Sequence, residues 1–251
     1  MRLALLFSGQ GGQRPEHGQQ VLDGAPPDLQ QALVDAGVDI ATVDPEKLSK
    51  NSFAQPFIFA QQMTLWHQLQ AELPRPICAA GYSLGEMAAC SAAGAFTAVE
   101  GLHLCVERAR LMDQAAPDDS GMLAVLGLDE SLVTTLAADC GLAIAIHNAP
   151  RHYVIAGSRA AIDAVVPRLE AAGAARLVHL AVQTPSHTAL LTSAAVNFEK
   201  RLNLLPDSRL AFPVLSAIDA TPARTGRAAL NALARQICTP LDWATCLQTV
   251  L

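Results

Sequence analysis

The pentad Gly81-Tyr82-Ser83-Leu84-Gly85 constrains this chain more than any other feature. It reads G-x-S-x-G, the pattern of a sharp turn between a strand and a helix that lifts a serine hydroxyl above a sheet. The flanks suit that turn. Pro76 to Ala80 is a short apolar run fit for a buried strand, and Glu86 to Ala93 is Ala-rich and free of Gly and Pro, as a helix prefers. The two glycines let the backbone bend and keep Cβ atoms out of the way. A helix beginning here brings backbone N–H groups and a positive dipole end to the Ser83 hydroxyl. The same five residues also arise by chance in an Ala- and Gly-rich chain; the strand before and the helix after favour the nucleophile turn.

The rest of the chain alternates strands and helices. Residues 3–7 read as a first strand, followed by the polar Gly/Gln loop Ser8-Gly9-Gln10-Gly11-Gly12-Gln13. Residues 18–38 and 54–72 read as helices, and a helix over 97–115 opens on Thr97 with Glu100 three residues later, a capping box. The rhythm then changes. Strand 122–128, helix 129–140, strands 142–146 and 153–156, a helix from the cap Ser158 to Ala172 and strand 176–182 follow in order. That is β-α-β-β-α-β, the ferredoxin-like pattern. Helix 187–203, strand 211–216 and helix 227–238 return to the first layer. The expected fold is therefore α/β: residues 1–120 and 183–251 form a discontinuous core with a parallel sheet, and residues 121–182 form an inserted ferredoxin-like subdomain.

Composition narrows the function. The chain has 251 residues, of which 51% are hydrophobic and 16% charged, enough apolar side chain for a substantial core. A net charge of −6 argues against a nucleic-acid partner. The six cysteines show neither C-x-x-C nor a His/Cys metal spacing, so free thiols in a reducing, cytoplasmic setting and no metal are expected. The apolar start Met1 to Phe7 is too short for a secretory leader, and no run is long enough to span a bilayer.

A serine nucleophile needs a base. His187, after Thr184-Pro185-Ser186, opens the helix where the insert hands back to the core, either as that base or as part of a helix cap. The loop carrying Gln10 is either a flexible turn or a place where a backbone N–H approaches a bound oxyanion. Arg108 and Arg110 lie two apart in one helix and so point different ways. Whichever faced a pocket would be a bidentate clamp for a carboxylate.

Together these residues resemble the malonyl-CoA:acyl carrier protein transacylase family. Phe7 to Gln13 resembles its F-P-G-Q-G-S-Q, with Ser8 in place of proline, and Gly81 to Glu86 resembles G-H-S-L-G-E. Arg108 to Met112 resembles R-G-x-x-M, Pro185-Ser186-His187 resembles P-S-H, and Gln236 to Trp243 resembles Q-L-x-x-P-V-x-W. The resemblance implies an α/β-hydrolase-like core with a ferredoxin-like insert. It also implies roles: Ser83 is acylated, His187 is the general base, and the N–H groups of Gln10 and Leu84 hold the oxyanion. Arg108 clamps the malonyl carboxylate, Gln55 steadies Arg108, and a backbone carbonyl near Gln236 orients His187 in place of an aspartate. No tightly bound cofactor is implied. Malonyl-CoA is the donor, and the phosphopantetheine-type thiol of an acyl carrier protein is the acceptor.

Two departures refine the expectation. Tyr82 stands where the family has histidine, and G-Y-S-L-G-E with P-S-H-T is closer to the malonyltransferase (epsilon) subunit of malonate decarboxylase. The leading expectation is thus malonyl transfer to that enzyme's carrier subunit, with its other subunits as partners. The alternative is the transacylase of fatty-acid or polyketide synthesis, and more remote is a serine esterase or thioesterase. The family continues past the position of Leu251 with a strand and a G-P-G turn, so the expected core is either truncated there or that of an unusually short member.

Overall fold

Two sheets organise the chain in the computed structural model, which describes residues 2–251. Met1, which opens the first expected segment, lies outside the described residues. The first sheet has the spatial order β1 (Ala4–Phe7), β2 (Cys78–Gly81), β7 (Arg209–Leu215), β8 (Pro222–Thr225). The first three run parallel and β8 returns antiparallel. Parallel neighbours need long crossovers. Between β1 and β2 these are α1 (His17–Gly24), α2 (Pro27–Asp35), α3 (Pro45–Ser49) and α4 (Asn51–Leu69). After β2 come α5 (Gly85–Ala92) and α6 (Ala98–Ala115).

The second sheet has the order β6 (Arg176–His179), β3 (Ser120–Leu126), β5 (His152–Ser158), β4 (Ala143–Ala149), β9 (Leu241–Asp242). Its first four strands pair antiparallel and, with α7 (Glu130–Asp139) and α8 (Arg159–Ala171), make the β-α-β-β-α-β unit. β9 comes from the far end of the chain and adds parallel to β4. Three further helices complete the chain: α9 (Thr192–Leu202), α10 (Gly226–Gln236) and α11 (Trp243–Val250).

Both faces of the small sheet are covered, which explains why its strands read as continuous apolar runs. Leu123 and Val125 of β3, with Tyr153 and Ile155 of β5, pack under α7 and α8. Their neighbours Met122, Ala124, Val154 and Ala156 face the other way, where Tyr82 and Leu180 also pack. The site forms on that second face.

Several boundaries differ from the sequence reading. The helix expected over 18–38 is two helices, because Pro26 and Pro27 break it: neither has an N–H to continue α1, and Pro27 instead opens α2. The helix expected from 187 begins at Thr192, after a 3-10 turn over Ala189–Leu191. His187 precedes it in a loop with φ 63°, outside any helix. β6 ends at His179, short of 182. Strands β8 and β9 are too short to show as a pattern, and α3 and α11 were not expected. The capping box is present: Thr97 Oγ1 accepts from Glu100 N at 3.1 Å, and a Glu100 carboxylate oxygen accepts from Thr97 N at 2.8 Å.

That box starts the helix that carries Arg108. Thr97→Ala should cost about 1 kcal/mol and lower Tm by roughly 2–4 °C in a chain of this size. Thermal unfolding followed by circular dichroism checks it, and an unchanged Tm would mean that α6 does not depend on its cap.

Candidate active site

The strand-to-helix turn is as tight as its sequence suggests. Tyr82 N donates to Phe7 O at 2.9 Å, extending the β1–β2 ladder by one bond. The chain then reverses at Ser83, which holds φ 52°, a conformation costly for a residue with a Cβ. A Cβ on Gly81 would collide with the backbone of Gly85 and Glu86, and one on Gly85 with the carbonyl of Phe7. Neither position tolerates a side chain.

His187 meets this turn from the opposite side. Its N–H donates to Ile237 O at 2.9 Å, and that bond holds the left-handed loop residue against the end of α10. Ring Nδ1 lies 2.5 Å from Gln236 O. A carbonyl only accepts, so Nδ1 carries the proton and Nε2 presents a lone pair. Nε2 is 2.8 Å from Ser83 Oγ and accepts its hydroxyl proton. Burial pushes the His187 pKa down to about 3; the Gln236 carbonyl opposes the shift and the Arg108 charge adds to it.

Arg108 is 1% exposed. Nη1 donates to Gln55 Oε1 at 2.7 Å and Nη2 to Gln236 Oε1 at 3.2 Å, while Nε is buried with no acceptor. Burial lowers its pKa to about 10, where it remains a cation at neutral pH. Arg110 points outward and pairs with Glu107 at 2.6 Å. The two arginines thus divide between pocket and solvent, as their spacing requires.

Sequence reasoning missed Glu86, at the start of α5, and the side chain of Gln236. Glu86 is 1% exposed; its Oε2 accepts from Ala217 N at 3.1 Å and from Gln236 Nε2 at 3.0 Å. Burial raises its pKa to about 8, against the pull of those two bonds and of Arg108. The signal was available, since Glu86 is the one charged residue in an otherwise apolar, Ala-rich helix. Tyr82 packs edge-on against Trp243 with ring centroids 5.4 Å apart, and burial raises its hydroxyl pKa to about 12, so it cannot act as a base at neutral pH.

Ser83, His187, Arg108, Gln55, Gln10 and Leu84 all line one cavity of about 80 Å³. Tyr82, Ser186 and Met112 line it too, and Met122, Ile146, Leu180 and Val182 come from the insert, which closes the space over the turn. Gln10 and Leu84 have backbone N–H groups that meet no protein acceptor among the described residues, and Gln10 Nε2 is buried without one. Gln236 does not line the cavity but touches three residues that do or that form its floor. The arrangement offers an alcohol with a neutral base, unused donors and a buried cation around a space fit for a small anionic acyl group. Among the described residues, no group of three metal-ligating side chains exists and no helix is long and apolar enough to cross a membrane.

The two shifted groups predict opposite pH limbs. Glu86 is neutral when folded and ionised when unfolded between 4.5 and about 8, so stability falls as pH rises through that window. His187 is neutral when folded and protonated when unfolded between about 3 and 6.5, so stability falls as pH drops through it. Of these two, only the Glu86 limb acts between pH 6.5 and about 8. Urea unfolding of wild type should therefore show declining stability from pH 6.5 to 8.5, and Glu86→Gln should flatten that limb while leaving the acid one.

The profile of the family described as acyl transferase domain matches residues 5–229. The malonyl CoA-acyl carrier protein transacylase of Haemophilus influenzae is 32% identical over 205 residues, 79% of this chain and 66% of the relative. This chain thus spans just under two thirds of that relative's length. Among solved structures, a malonyl-transacylase in complex with the acyl-carrier protein of a type II polyketide synthase superposes with TM-score 0.90 at 28% identity, covering 100% of this chain and 85% of that one. The malonyl-CoA:acyl carrier protein transacylase of Helicobacter pylori gives TM-score 0.92 at 26% identity, covering 99% and 84%. The matched span takes in the strained serine turn, the buried arginine and the histidine loop, and the chain belongs to the acyl transferase domain family.

Proposed function

We propose that this chain transfers malonyl from malonyl-CoA, through an ester on Ser83, to the thiol of an acyl carrier protein. The buried guanidinium of Arg108 in the cavity of the Ser83–His187 pair carries this reading. A cation with an unused buried donor needs an anionic ligand. Malonyl supplies a free carboxylate at the end of a short acyl group, and a cavity of about 80 Å³ suits so small a group. An esterase or thioesterase of neutral acyl chains has no use for Arg108.

The geometry supports a two-stage reaction. Ser83 Oγ attacks the thioester carbonyl carbon while its proton passes to His187 Nε2. The N–H groups of Gln10 and Leu84 donate to the developing oxyanion. The carbon–sulfur bond then breaks, and the coenzyme thiolate takes the proton back from His187. The carrier thiol repeats the sequence in reverse on the malonyl-Ser83 ester. A carboxylate on Arg108 would also cancel the charge that disfavours protonated His187, so the correct acyl group strengthens its own base. Residues 121–182 act in this reading as the unit that closes the acyl cavity.

The context shifts from the leading sequence expectation. The similar proteins named above are transacylases of acyl carrier proteins, and one is in complex with the acyl-carrier protein of a type II polyketide synthase. The reading supported best is therefore transacylation for fatty-acid or polyketide synthesis. Tyr82, which suggested the decarboxylase, packs on Trp243 as part of the wall below β4 and reports packing as readily as pathway.

Two measurements test the reaction. Incubation with malonyl-CoA alone should add one malonyl mass to the intact protein and none to Ser83→Ala; an equal adduct on both would sink the assignment. Arg108→Ala should lose about 2–4 kcal/mol of transition-state binding for malonyl while acetyl transfer holds or rises. If Arg110→Ala does this instead, the clamp is misassigned.

A further inference from the structure

We propose that Glu86 is a positioning residue that, through the Gln236 side chain, holds the Arg108 clamp and the Ser83–His187 pair in one arrangement. This rests on the roles read above for Ser83, His187 and Arg108.

Gln236 is fully buried, and its backbone carbonyl and side-chain amide all engage the site. Its backbone carbonyl accepts from His187 Nδ1 at 2.5 Å. Its Oε1 accepts from Arg108 Nη2 at 3.2 Å. Its Nε2 donates to Ser83 O at 3.0 Å and to Glu86 Oε2 at 3.0 Å. One residue therefore touches the base, the backbone of the nucleophile and the cation.

The amide has two possible orientations, and only one is consistent with these neighbours. Turned over, its NH₂ would face the guanidinium, donor against donor, and its oxygen would face the Ser83 carbonyl, acceptor against acceptor. Glu86 is fixed from behind by Ala217 N at 3.1 Å, in the segment that follows β7. Its Oε1 meets no protein donor. A carboxyl kept neutral by burial needs no counter-ion there, so it serves as a rigid acceptor without competing with a substrate carboxylate for Arg108.

Without Glu86, the Gln236 amide keeps only Ser83 O on its Nε2 and Arg108 on its Oε1, and it is held less firmly in this orientation. When the amide turns, Arg108 retains Gln55 alone. The rotation starts at the residue whose own carbonyl orients His187, so loosening reaches the base as well, though less directly. Malonyl transfer should suffer more than acetyl transfer. A residue that only filled space would affect both donors alike.

The test measures single-turnover acylation of Ser83 by malonyl-CoA and by acetyl-CoA in the full chain, with Tm as a check on folding. Glu86→Leu should lower the malonyl rate constant over KM about a hundredfold, the loss expected for a small misplacement of a positioned group. It should lower the acetyl value by only a few-fold, with much of the malonyl loss in KM. Glu86→Gln should restore both, because its carbonyl accepts from the same two donors. Gln236→Met removes the bridge from the other end, keeps the backbone carbonyl and fills the space with a flexible side chain; it decides the matter should Glu86→Leu not fold. It should shift the malonyl-to-acetyl ratio equally, and the double variant should be no worse than either single. A folded Glu86→Leu or Gln236→Met with the wild-type ratio overturns the proposal. Failure of wild type to acylate at Ser83 at all would instead overturn the reading beneath it, so the two failures are distinct.

Discussion

A guanidinium with almost no access to water governs this structure. Bringing Arg108 out of solvent carries a large desolvation penalty, visible in its lowered pKa. Among the described residues, no ionised carboxylate offsets it at hydrogen-bond distance. Two amide oxygens do, one from Gln55 on α4 and one from Gln236 at the end of α10. Neutral acceptors solvate the cation without cancelling it, so its charge stays available inside the cavity. The neighbouring acid, Glu86, conforms to the same logic by remaining protonated. Elements far apart in sequence must meet at this one side chain, and their packing follows from that requirement.

Backbone strain is placed just as narrowly. Ser83 and His187, the two side chains joined by the 2.8 Å contact, both hold positive φ. Neither is glycine, so each conformation must be held by its surroundings. Ser83 is held by a parallel strand before it and a helix after it, with Gly81 and Gly85 allowing the close approach. His187 is held by Ile237 and Gln236 at the close of α10. The backbones that carry the Ser83 and His187 side chains are thus set by main-chain contacts.

The turn at Ser83 and the β-α-β-β-α-β rhythm were legible because each is local: a pentad with fitting flanks, and alternating runs closed by Gly141 and Gly173. The inward choice of Arg108 over Arg110 came only through resemblance, since helical spacing says that the two diverge and not which turns in. Glu86 and the Gln236 amide were not found because their significance lies in contacts spanning 150 residues of sequence. The break at Pro26 and Pro27 was readable and was overridden by the apolar periodicity on either side. β9 was invisible in principle, because two residues carry no period.

That last strand has a mechanical meaning. β9 joins β4 through Ile146↔Leu241 and His147↔Asp242, and Ile146 is also a wall of the cavity that holds Ser83 and His187. Leu241 follows closely on Gln236, whose carbonyl holds His187. A few residues of chain therefore tie the roof of the cavity to the orientation of the His187 ring. A ladder only two residues long is the kind of joint that opens at small free-energy cost. On this geometry the cavity wall at Ile146 and the imidazole of His187 are coupled through one short stretch of backbone, so a shift of β4 is felt at the carbonyl that accepts from Nδ1.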